Sequence, residues 1–447
     1  FDLKGNQIGC SQHEWTHNED PRFPGSMDFD WKYNWELASG CVRNVLAETK
    51  IDPAEIAAIS TTCMREGILL YDKDGNEIWA CANVDARSND EVAELIRMNP
   101  DLELELYKKS GQSYALNAIP RILWVKNNMP DIYEKTAKIG MFNDWLIYKL
   151  TGVLAVEPSN GSTTGLLDLQ TRTWDTEIAA KCNLRTDIFP DILECGSISG
   201  KVTAKGASET GLAEGTPVVV GGGDCQLGTI GVGACKPGEA AVFGGSFWQY
   251  EFNTESGKTD PYGRVRVNCH AVPGVWQYEA LAFKPGLVMR WFRDGFCQEE
   301  KRKAKEIGDD PYNLMNQAAE KIPAGCYGMM CCFSDIMNFI NWKHAAPTFT
   351  NFELLPEKFN KYTFYRSILE NTAMLVKGHI ELVKEATGNE PDKLIFAGGA
   401  SVSDLWSQIL ADVTGKPVVT PVVKEATALG AAIIAGYGVG IYPSIAE

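Results

Sequence analysis

The stretch from Val218 to Asp224 reads Val-Val-Val-Gly-Gly-Gly-Asp, and it decides the fold class. Three β-branched residues favour a buried strand. The glycines remove every side chain just past the end of that strand, so a ligand or another backbone segment can approach closely. Asp224 then stands at the carboxyl end of a strand, where open α/β sheets bind their ligands. The alternative is an ordinary strand that ends in a turn, with Asp224 as a turn residue.

Strand and helix patterns alternate along the rest of the chain, which predicts an α/β protein. Two further glycine turns repeat the theme of strand, glycine and polar residue, at Gly244-Gly245-Ser246 and near Gly398-Gly399. The chain has 447 residues, which is too long for one hydrophobic core. We therefore expect two α/β domains that face one cleft, with domain bounds 1–233 and 234–447.

The charge balance and the cysteine pattern exclude several classes of partner and site. Lys and Arg number 42 and Asp and Glu number 58, so the net charge of −16 disfavours nucleic acid and anionic membranes as partners. The 13 cysteines form no CxxC pair and the five histidines no HExxH motif, so a zinc site is not expected. An odd, unpatterned set of cysteines is typical of free thiols in a reducing cytosol. No apolar run is long enough to span a bilayer, and we expect a cytoplasmic protein.

The two later glycine turns each have a binding interpretation and an ordinary one. Backbone N–H groups in the turn at Gly244-Gly245-Ser246 can form an anion-binding nest, although a plain hairpin explains the same residues. The Gly398-Gly399 pair lets a flat ligand lie against the backbone, and Ser401 or Ser403 can cap the helix that follows. A simple strand–loop–helix unit is the alternative there. Neither turn matches the dinucleotide-binding or P-loop pattern.

Two polar segments upstream are candidates for a substrate site. Arg65-Glu66 follows a predicted strand, and an arginine beside a carboxylate suits a polyhydroxylated small molecule, because Arg donates and Glu accepts hydrogen bonds. A structural ion pair explains the same two residues equally well. The second segment runs from Pro158 to Gly165 and contains Asn160. It is rich in hydrogen-bonding side chains, and its ordinary interpretation is a polar loop.

The order of these motifs along the chain resembles that of the FGGY carbohydrate kinases. The resemblance covers essentially the whole chain and extends to the terminal run Pro421–Ala432. It implies an actin-like (ribonuclease H-like) fold of two α/β domains with an interdomain cleft that binds ATP and a sugar. Within the family, the motifs at 79–87 and 422–430 are most similar to those of the autoinducer-2 kinases. This similarity implies phosphorylation of the terminal hydroxyl of 4,5-dihydroxypentane-2,3-dione.

The resemblance also implies a role for each candidate residue. Asp224 aligns with the catalytic base, which contacts the substrate hydroxyl and helps to hold Mg²⁺. The remaining substrate-binding candidates are Arg65, Glu66 and Asn160. The ATP-binding candidates are Gly244, Gly245, Gly399 and Ser403. The implied cofactors are therefore ATP and Mg²⁺, and the implied partner is a small-molecule substrate.

Several alternatives stay open from the sequence. One is a kinase of another small ketose or polyol, although Arg65-Glu66 departs from the Gln-Gly-His of xylulokinases and Cys225 from the Gln of glycerol kinases. Another is a non-catalytic sugar or nucleotide sensor on the same scaffold. The family begins with an Asp-x-Gly-Thr type phosphate loop and continues past the position of Glu447, so we expect both ends of the family pattern to lie outside this chain. A homodimer or a regulatory protein partner is also left open.

Overall fold

The computed structural model describes residues 1–115, 117–333, 339–340, 346–423 and 425–446. Lys424, which belongs to the motif at 422–430, and Glu447, which ends the expected second domain, lie outside the described residues. Strands and helices alternate along the described chain, which confirms the predicted α/β class.

The strands of the described residues are short, and most of the longer ones are buried. They are β1 (Ile59–Cys63), β2 (Ile68–Tyr71), β3 (Glu77–Cys81), β4 (Lys138–Met141), β5 (Ala155–Val156), β6 (Leu167–Asp168), β7 (Thr173–Trp174), β8 (Asp191–Ile192), β9 (Ile198–Lys201), β10 (Pro217–Gly223), β11 (Ala240–Gly244), β12 (Trp248–Thr254), β13 (Arg266–Cys269), β14 (Trp276–Ala282), β15 (Met330–Cys332), β16 (Thr348–Thr350), β17 (Leu394–Ala397) and β18 (Val418–Val419).

The α-helices of the same residues range from single turns to more than seven turns. They are α1 (Trp31–Thr49), α2 (Asn89–Met98), α3 (Leu102–Ser110), α4 (Ala118–Asn128), α5 (Pro130–Lys135), α6 (Phe142–Thr151), α7 (Pro158–Gly161), α8 (Thr176–Lys181), α9 (Ala204–Thr210), α10 (Asp224–Gly231), α11 (Pro285–Phe296), α12 (Gln298–Ile307), α13 (Pro311–Ala319), α14 (Lys361–Thr387), α15 (Asp404–Thr414) and α16 (Ala426–Gly438). Short 3₁₀ turns occur at Pro53–Glu55, Ser162–Thr164, Cys326–Gly328 and Gly399–Val402.

A three-stranded sheet in the order β1-β10-β9 contains the valines and glycines of the stretch from Val218 to Gly223. β1 and β10 are parallel, with Ile59 opposite Val218 and Cys63 opposite Gly223. The three valines of β10 are buried, as the run of β-branched residues predicts. Because the two parallel strands end side by side, the segments that follow them leave the same edge of the sheet.

The three glycines lie inside β10 and not beyond its end, which corrects the prediction for this stretch. A Cβ on Gly221 would lie 1.7 Å from the Thr61 carbonyl oxygen, and one on Gly222 would lie 2.9 Å from Ser159 Oγ. A Cβ on Gly223 would lie 2.9 Å from Arg65 Cγ. The predicted close approach is therefore made by the protein's own backbone and side chains.

A six-stranded sheet in the order β13-β14-β12-β11-β17-β18 forms the centre of the second half of the chain. β11, β17 and β18 are parallel, while β12, β14 and β13 continue the sheet in antiparallel pairs. The glycine turns that follow β11 and β17 meet at one edge. A Cβ on Gly398, where φ is +90°, would lie 2.7 Å from the Gly244 carbonyl oxygen.

The largest hydrophobic core packs around this sheet and against α14 and α15. The amphipathic pattern from Phe364 to Ala386 predicts a long helix, and the structure confirms it with slightly wider bounds. This helix, α14, begins after the Asn360 cap and ends at Thr387, and the Gly388 that follows has a φ of +78°. No helix among the described residues is both long enough and apolar enough to cross a bilayer.

Candidate functional site

Asp224 is the first residue of α10 and follows directly after β10. Its Oδ1 accepts a hydrogen bond from the Cys225 backbone N–H at 2.9 Å, while 42% of its side-chain surface stays exposed. Its backbone carbonyl accepts a hydrogen bond from the Thr427 hydroxyl at 3.2 Å. Removal from water raises the pKa of the Asp224 carboxyl, and the Arg65 guanidinium opposes that rise. The carboxylate is therefore fixed at one oxygen and still reachable from solvent.

Arg65 lies in the turn after β1, and its guanidinium is buried with 5% of the side chain exposed. Nη1 donates to Glu279, Nη2 donates to Cys225 Sγ at 3.2 Å, and Nε lies 3.4 Å from Asp224 Oδ1. Burial lowers the pKa of Arg65, but the adjacent thiol and carboxylates raise it well above its usual value. Arg65 therefore stays charged and orients the side chain of Asp224.

Glu66 has a backbone φ of 66°, a left-handed conformation that costs a residue with a side chain about 1–2 kcal/mol. Its carbonyl oxygen accepts a hydrogen bond from Arg121 Nη1 at 2.5 Å, which supports this conformation. Its carboxylate accepts a hydrogen bond from Arg266 Nη2 at 2.5 Å. Arg65 and Glu66 are thus each paired with a residue far along the chain and not with each other.

Arg266 and Glu279 are central to this cluster and were missed in the sequence. They are register partners on β13 and β14, and Arg266 Nη1 lies 3.2 Å from Glu279 Oε1. Arg266 Nε also donates to Gln112 Oε1 at 2.9 Å. The signal in the sequence was a charged residue within each of two apolar strands, at Arg266 and Glu279, but nothing local indicates that the two strands are neighbours.

Asn160 lies near this cluster but is completely buried. Its side-chain amide donates to Glu157 Oε1 at 2.5 Å, and its carbonyl oxygen accepts from Cys63 Sγ at 3.6 Å. The segment around it forms α7 and a 3₁₀ turn, so the predicted polar loop is a buried helical turn. A direct contact between Asn160 and substrate stays a prediction.

The four ATP-binding candidates line one cavity of about 560 Å³ at the edge of the six-stranded sheet. A Cβ on Gly399 would have no heavy atom within 4 Å, so the backbone at this position borders open space. Ser403 Oγ accepts a hydrogen bond from the Trp406 backbone N–H at 3.2 Å, which makes Ser403 the cap of α15. Arg290, which donates to Ser246 Oγ at 2.9 Å, adds positive charge to the wall.

The structure therefore gathers the candidates into two groups. One is a cluster of charged residues at the ends of β1 and β10 and on β13 and β14. We call it the charge cluster, and its members are Arg65, Glu66, Asp224, Arg266 and Glu279. The other is the glycine-lined cavity at the ends of β11 and β17, whose candidate residues are Gly244, Gly245, Gly399 and Ser403.

Comparisons with known proteins match both halves of the chain. The N-terminal domain of the FGGY family of carbohydrate kinases matches residues 1–231, and the C-terminal domain of that family matches residues 253–439. An autoinducer-2 kinase from Salmonella typhimurium is 50% identical over 448 aligned residues, which cover 100% of this chain and 84% of that protein. An autoinducer-2 kinase from Yersinia enterocolitica is 50% identical over 446 residues, with the same shares covered.

Solved structures share the fold at lower sequence identity. A ligand-bound xylulose kinase from Lactobacillus acidophilus superposes with a TM-score of 0.87 at 20% identity, covering 100% of this chain and 88% of its own. Plasmodium falciparum glycerol kinase with ADP gives a TM-score of 0.83 at 22% identity, covering 96% and 85%. These structures confirm the predicted fold of two actin-like (ribonuclease H-like) domains. The two domain matches and the two relatives together show that the chain belongs to the FGGY family of carbohydrate kinases.

Proposed function

We propose that this protein is an ATP- and Mg²⁺-dependent kinase of autoinducer-2, 4,5-dihydroxypentane-2,3-dione, and that it phosphorylates the terminal hydroxyl. The observation that carries the proposal is the meeting of Asp224 with Arg65 and Glu66 at adjacent strand ends. The choice of substrate is supported by 50% identity to autoinducer-2 kinases across the full chain. As a member of its family, the protein is a phosphotransferase with an alcohol acceptor.

Asp224 is the proposed general base of the transfer. Its carboxylate accepts the proton of the primary hydroxyl while that oxygen forms its bond to the γ-phosphorus of ATP and the bond to the ADP oxygen breaks. The raised pKa of Asp224 makes the carboxylate a better proton acceptor than an ordinary Asp, while the Arg65 guanidinium favours its ionised form. Its exposed surface allows the hydroxyl to reach the free oxygen.

Glu66 and Arg65 divide the remaining work at the substrate end. The Glu66 carboxylate has one oxygen on Arg266, which leaves the other oxygen to accept a hydrogen bond from a substrate hydroxyl. The donors of Arg65 are directed at protein groups, so its main role is to orient Asp224. We propose that Asn160 supports the site indirectly, through its contact with the thiol of Cys63 at the end of β1.

ATP is proposed to bind in the glycine-lined cavity. The backbone at Gly244 and Gly245 would contact phosphate oxygens, and the open face of Gly399 would lie against the nucleoside. Mg²⁺ prefers oxygen ligands, and Asp224 offers a carboxylate with an oxygen that no arginine engages. When bound, the ion neutralises charge on the phosphates. The residues present therefore fit the Mg²⁺ ion that the family implies.

The proposal also covers the boundary between the two domains and the cellular location of the protein. A boundary at residue 233 assigns Arg65, Glu66 and Asp224 to one domain and the glycine-lined cavity to the other. A cytoplasmic location is supported by the cysteines, all of which lie in described residues as free thiols. The phosphorylated product would be retained there by its charge and could serve in quorum sensing.

A panel of acceptors tests the substrate. The full chain is incubated with ATP, Mg²⁺ and one acceptor at a time, which is autoinducer-2, xylulose or glycerol. The release of ADP and the formation of phosphorylated product are then measured. We expect the highest kcat/KM with autoinducer-2. Faster turnover of xylulose or glycerol would show a kinase of another ketose or polyol, and nucleotide binding without turnover of any acceptor would favour a sensor.

A further inference from the structure

Two buried carboxylates face each other next to the proposed base. Glu251 on β12 and Glu279 on β14 are direct register partners, and both side chains are fully buried. Like charges directly opposite each other destabilise a sheet, and burial increases the cost of each charge. At most one of the two carboxylates is therefore expected to be ionised unless a cation lies near each.

Glu279 is the carboxylate that has cationic partners. It accepts hydrogen bonds from Arg65, from Arg266 Nη1 at 3.2 Å and from Asn268 Nδ2 at 3.4 Å. Burial raises the pKa of Glu279, but the two guanidinium groups lower it below its usual value. Glu279 is therefore an anion in the folded protein.

Glu251 has no such partners. Neither of its carboxylate oxygens has a hydrogen-bond partner among the residues that the structure describes. An oxygen of Glu251, an oxygen of Glu279 and Cys225 Sγ all lie within 4.8 Å of one another. Burial raises the pKa of Glu251 well above its usual value and the charge of Glu279 adds to the rise, while Arg65 and Arg266 offset it only in part. The geometry and the charges both favour a protonated Glu251.

Two carboxylates and a thiol could also suggest a metal site, but the neighbouring cations argue against it. Arg65 Nη2 lies 3.2 Å from Cys225 Sγ, and both Arg65 and Arg266 contact Glu279. A divalent ion would have to displace two guanidinium groups from the same small space. A proton on Glu251 satisfies the cluster without that displacement.

We propose that Glu251 is a positioning residue, a neutral carboxylic acid that donates its proton toward Glu279 and leaves Arg65 free to orient Asp224. An ionised Glu251 would attract Arg65 and Arg266 toward β12 and away from their present partners. This inference rests on the proposed function only to the extent that Arg65 and Asp224 serve the reaction.

The protonation state is tested without any substrate. Infrared spectra of the full chain, labelled with ¹³C at glutamate carboxyls, are recorded at neutral pH for the wild type and for Glu251→Gln. We expect the difference spectrum to contain the carbonyl stretch of a protonated acid that is lost in the variant. A lost carboxylate band would show that Glu251 is charged and would overturn the inference, whichever acceptor the enzyme uses.

The positioning role is tested with the best acceptor of the panel. Glu251→Leu removes the proton donor but fills the space, and we expect kcat to fall by about 10- to 100-fold while the KM for ATP and the unfolding midpoint stay close to wild type. Glu251→Gln keeps a neutral donor and is expected to rescue most of the lost kcat. A Leu variant as active as the wild type, or a Gln variant as slow as Leu, would overturn the role.

Tyr250→Phe is the matched control. Tyr250 is the neighbouring residue on β12, is also buried, and its hydroxyl has no partner among the described residues. Because adjacent strand residues face opposite sides of a sheet, this change removes a buried oxygen from the same strand without touching the charge cluster. We expect unchanged kcat.

Discussion

Asp224 and Gly399 each follow the end of a strand, but their surroundings differ. Asp224 stands among buried ion pairs that join residues 65, 66, 266 and 279, whereas Gly399 borders a cavity with no heavy atom within 4 Å of its missing Cβ. The proposed substrate site is therefore formed by charged side chains that hold one another in place. The proposed nucleotide site is formed by backbone that borders open space. Substitutions in the charge cluster should therefore change both the reaction and the stability of the fold. Substitutions in the glycine-lined cavity can change one of these without the other.

The largest effect on the reaction is expected at Asp224. Asp224→Asn removes the proton acceptor but keeps the size of the side chain, so kcat should fall by about 10²- to 10⁴-fold. ATP should still bind, because the glycine-lined cavity is untouched. Steady-state kinetics and a nucleotide titration measure the two quantities. Turnover close to wild type would remove Asp224 from the role of base.

Arg266→Gln tests whether the charge cluster also holds the fold. The change leaves the buried carboxylate of Glu279 with one guanidinium and Glu66 with none, so the free energy of unfolding should fall by about 3–5 kcal/mol. Urea denaturation measures it. The control is Arg302→Gln, which removes an exposed helical pair with Glu306 and should change stability by less than about 0.5 kcal/mol. Equal losses in the two variants would contradict the comparison.

Paired glycine substitutions compare two positions in the cavity wall. Gly244→Ala would place a Cβ 2.8 Å from Ala400 Cβ and from the Phe396 ring, and we expect a loss of about 1–3 kcal/mol in stability. Gly399→Ala meets no neighbour, so stability should stay within about 0.5 kcal/mol while the KM for ATP rises. Thermal unfolding and ATP titrations separate the two outcomes. A Gly399→Ala variant with normal KM would place the nucleotide elsewhere.

The smallest effect is expected in the pH profile. The base acts when deprotonated, so kcat/KM should fall as the pH drops through the pKa of Asp224. Because burial raises that pKa and Arg65 only partly offsets the rise, the acid limb should lie above that of an ordinary aspartate. Rates at saturating ATP across the acidic range measure the limb. A limb at or below the usual value would mean that Arg65 outweighs burial.

Local patterns were enough to predict much of the fold. Short apolar runs and turn residues predict a strand at Leu394–Ala397 and a hairpin of Ile68–Tyr71 with Glu77–Ala80. The structure has these elements at or within one residue of those bounds. The long helix α14 follows from its 3.6-residue periodicity. In each case the signal and the element occupy the same residues.

The charge cluster could be predicted only in part, because its pairs form between distant strands. Arg65 and Asp224 could be named from their positions after strands, but Arg266 and Glu279 come from β13 and β14, whose pairing no local pattern reveals. The glycines of β10 could be recognised as a place of close approach. What approaches them, Thr61, Ser159 and Arg65, depends on tertiary packing.

The left-handed backbone at Glu66 has a consequence for engineering. Glycine adopts that conformation at no steric cost, but Glu66→Gly would also remove the carboxylate that pairs with the buried guanidinium of Arg266. Such a variant would relieve the backbone strain, leave a buried cation with one partner fewer, and lose the carboxylate proposed to receive the substrate hydroxyl. Residue 66 is thus a point where the backbone conformation and the ion pairing of the charge cluster favour different amino acids.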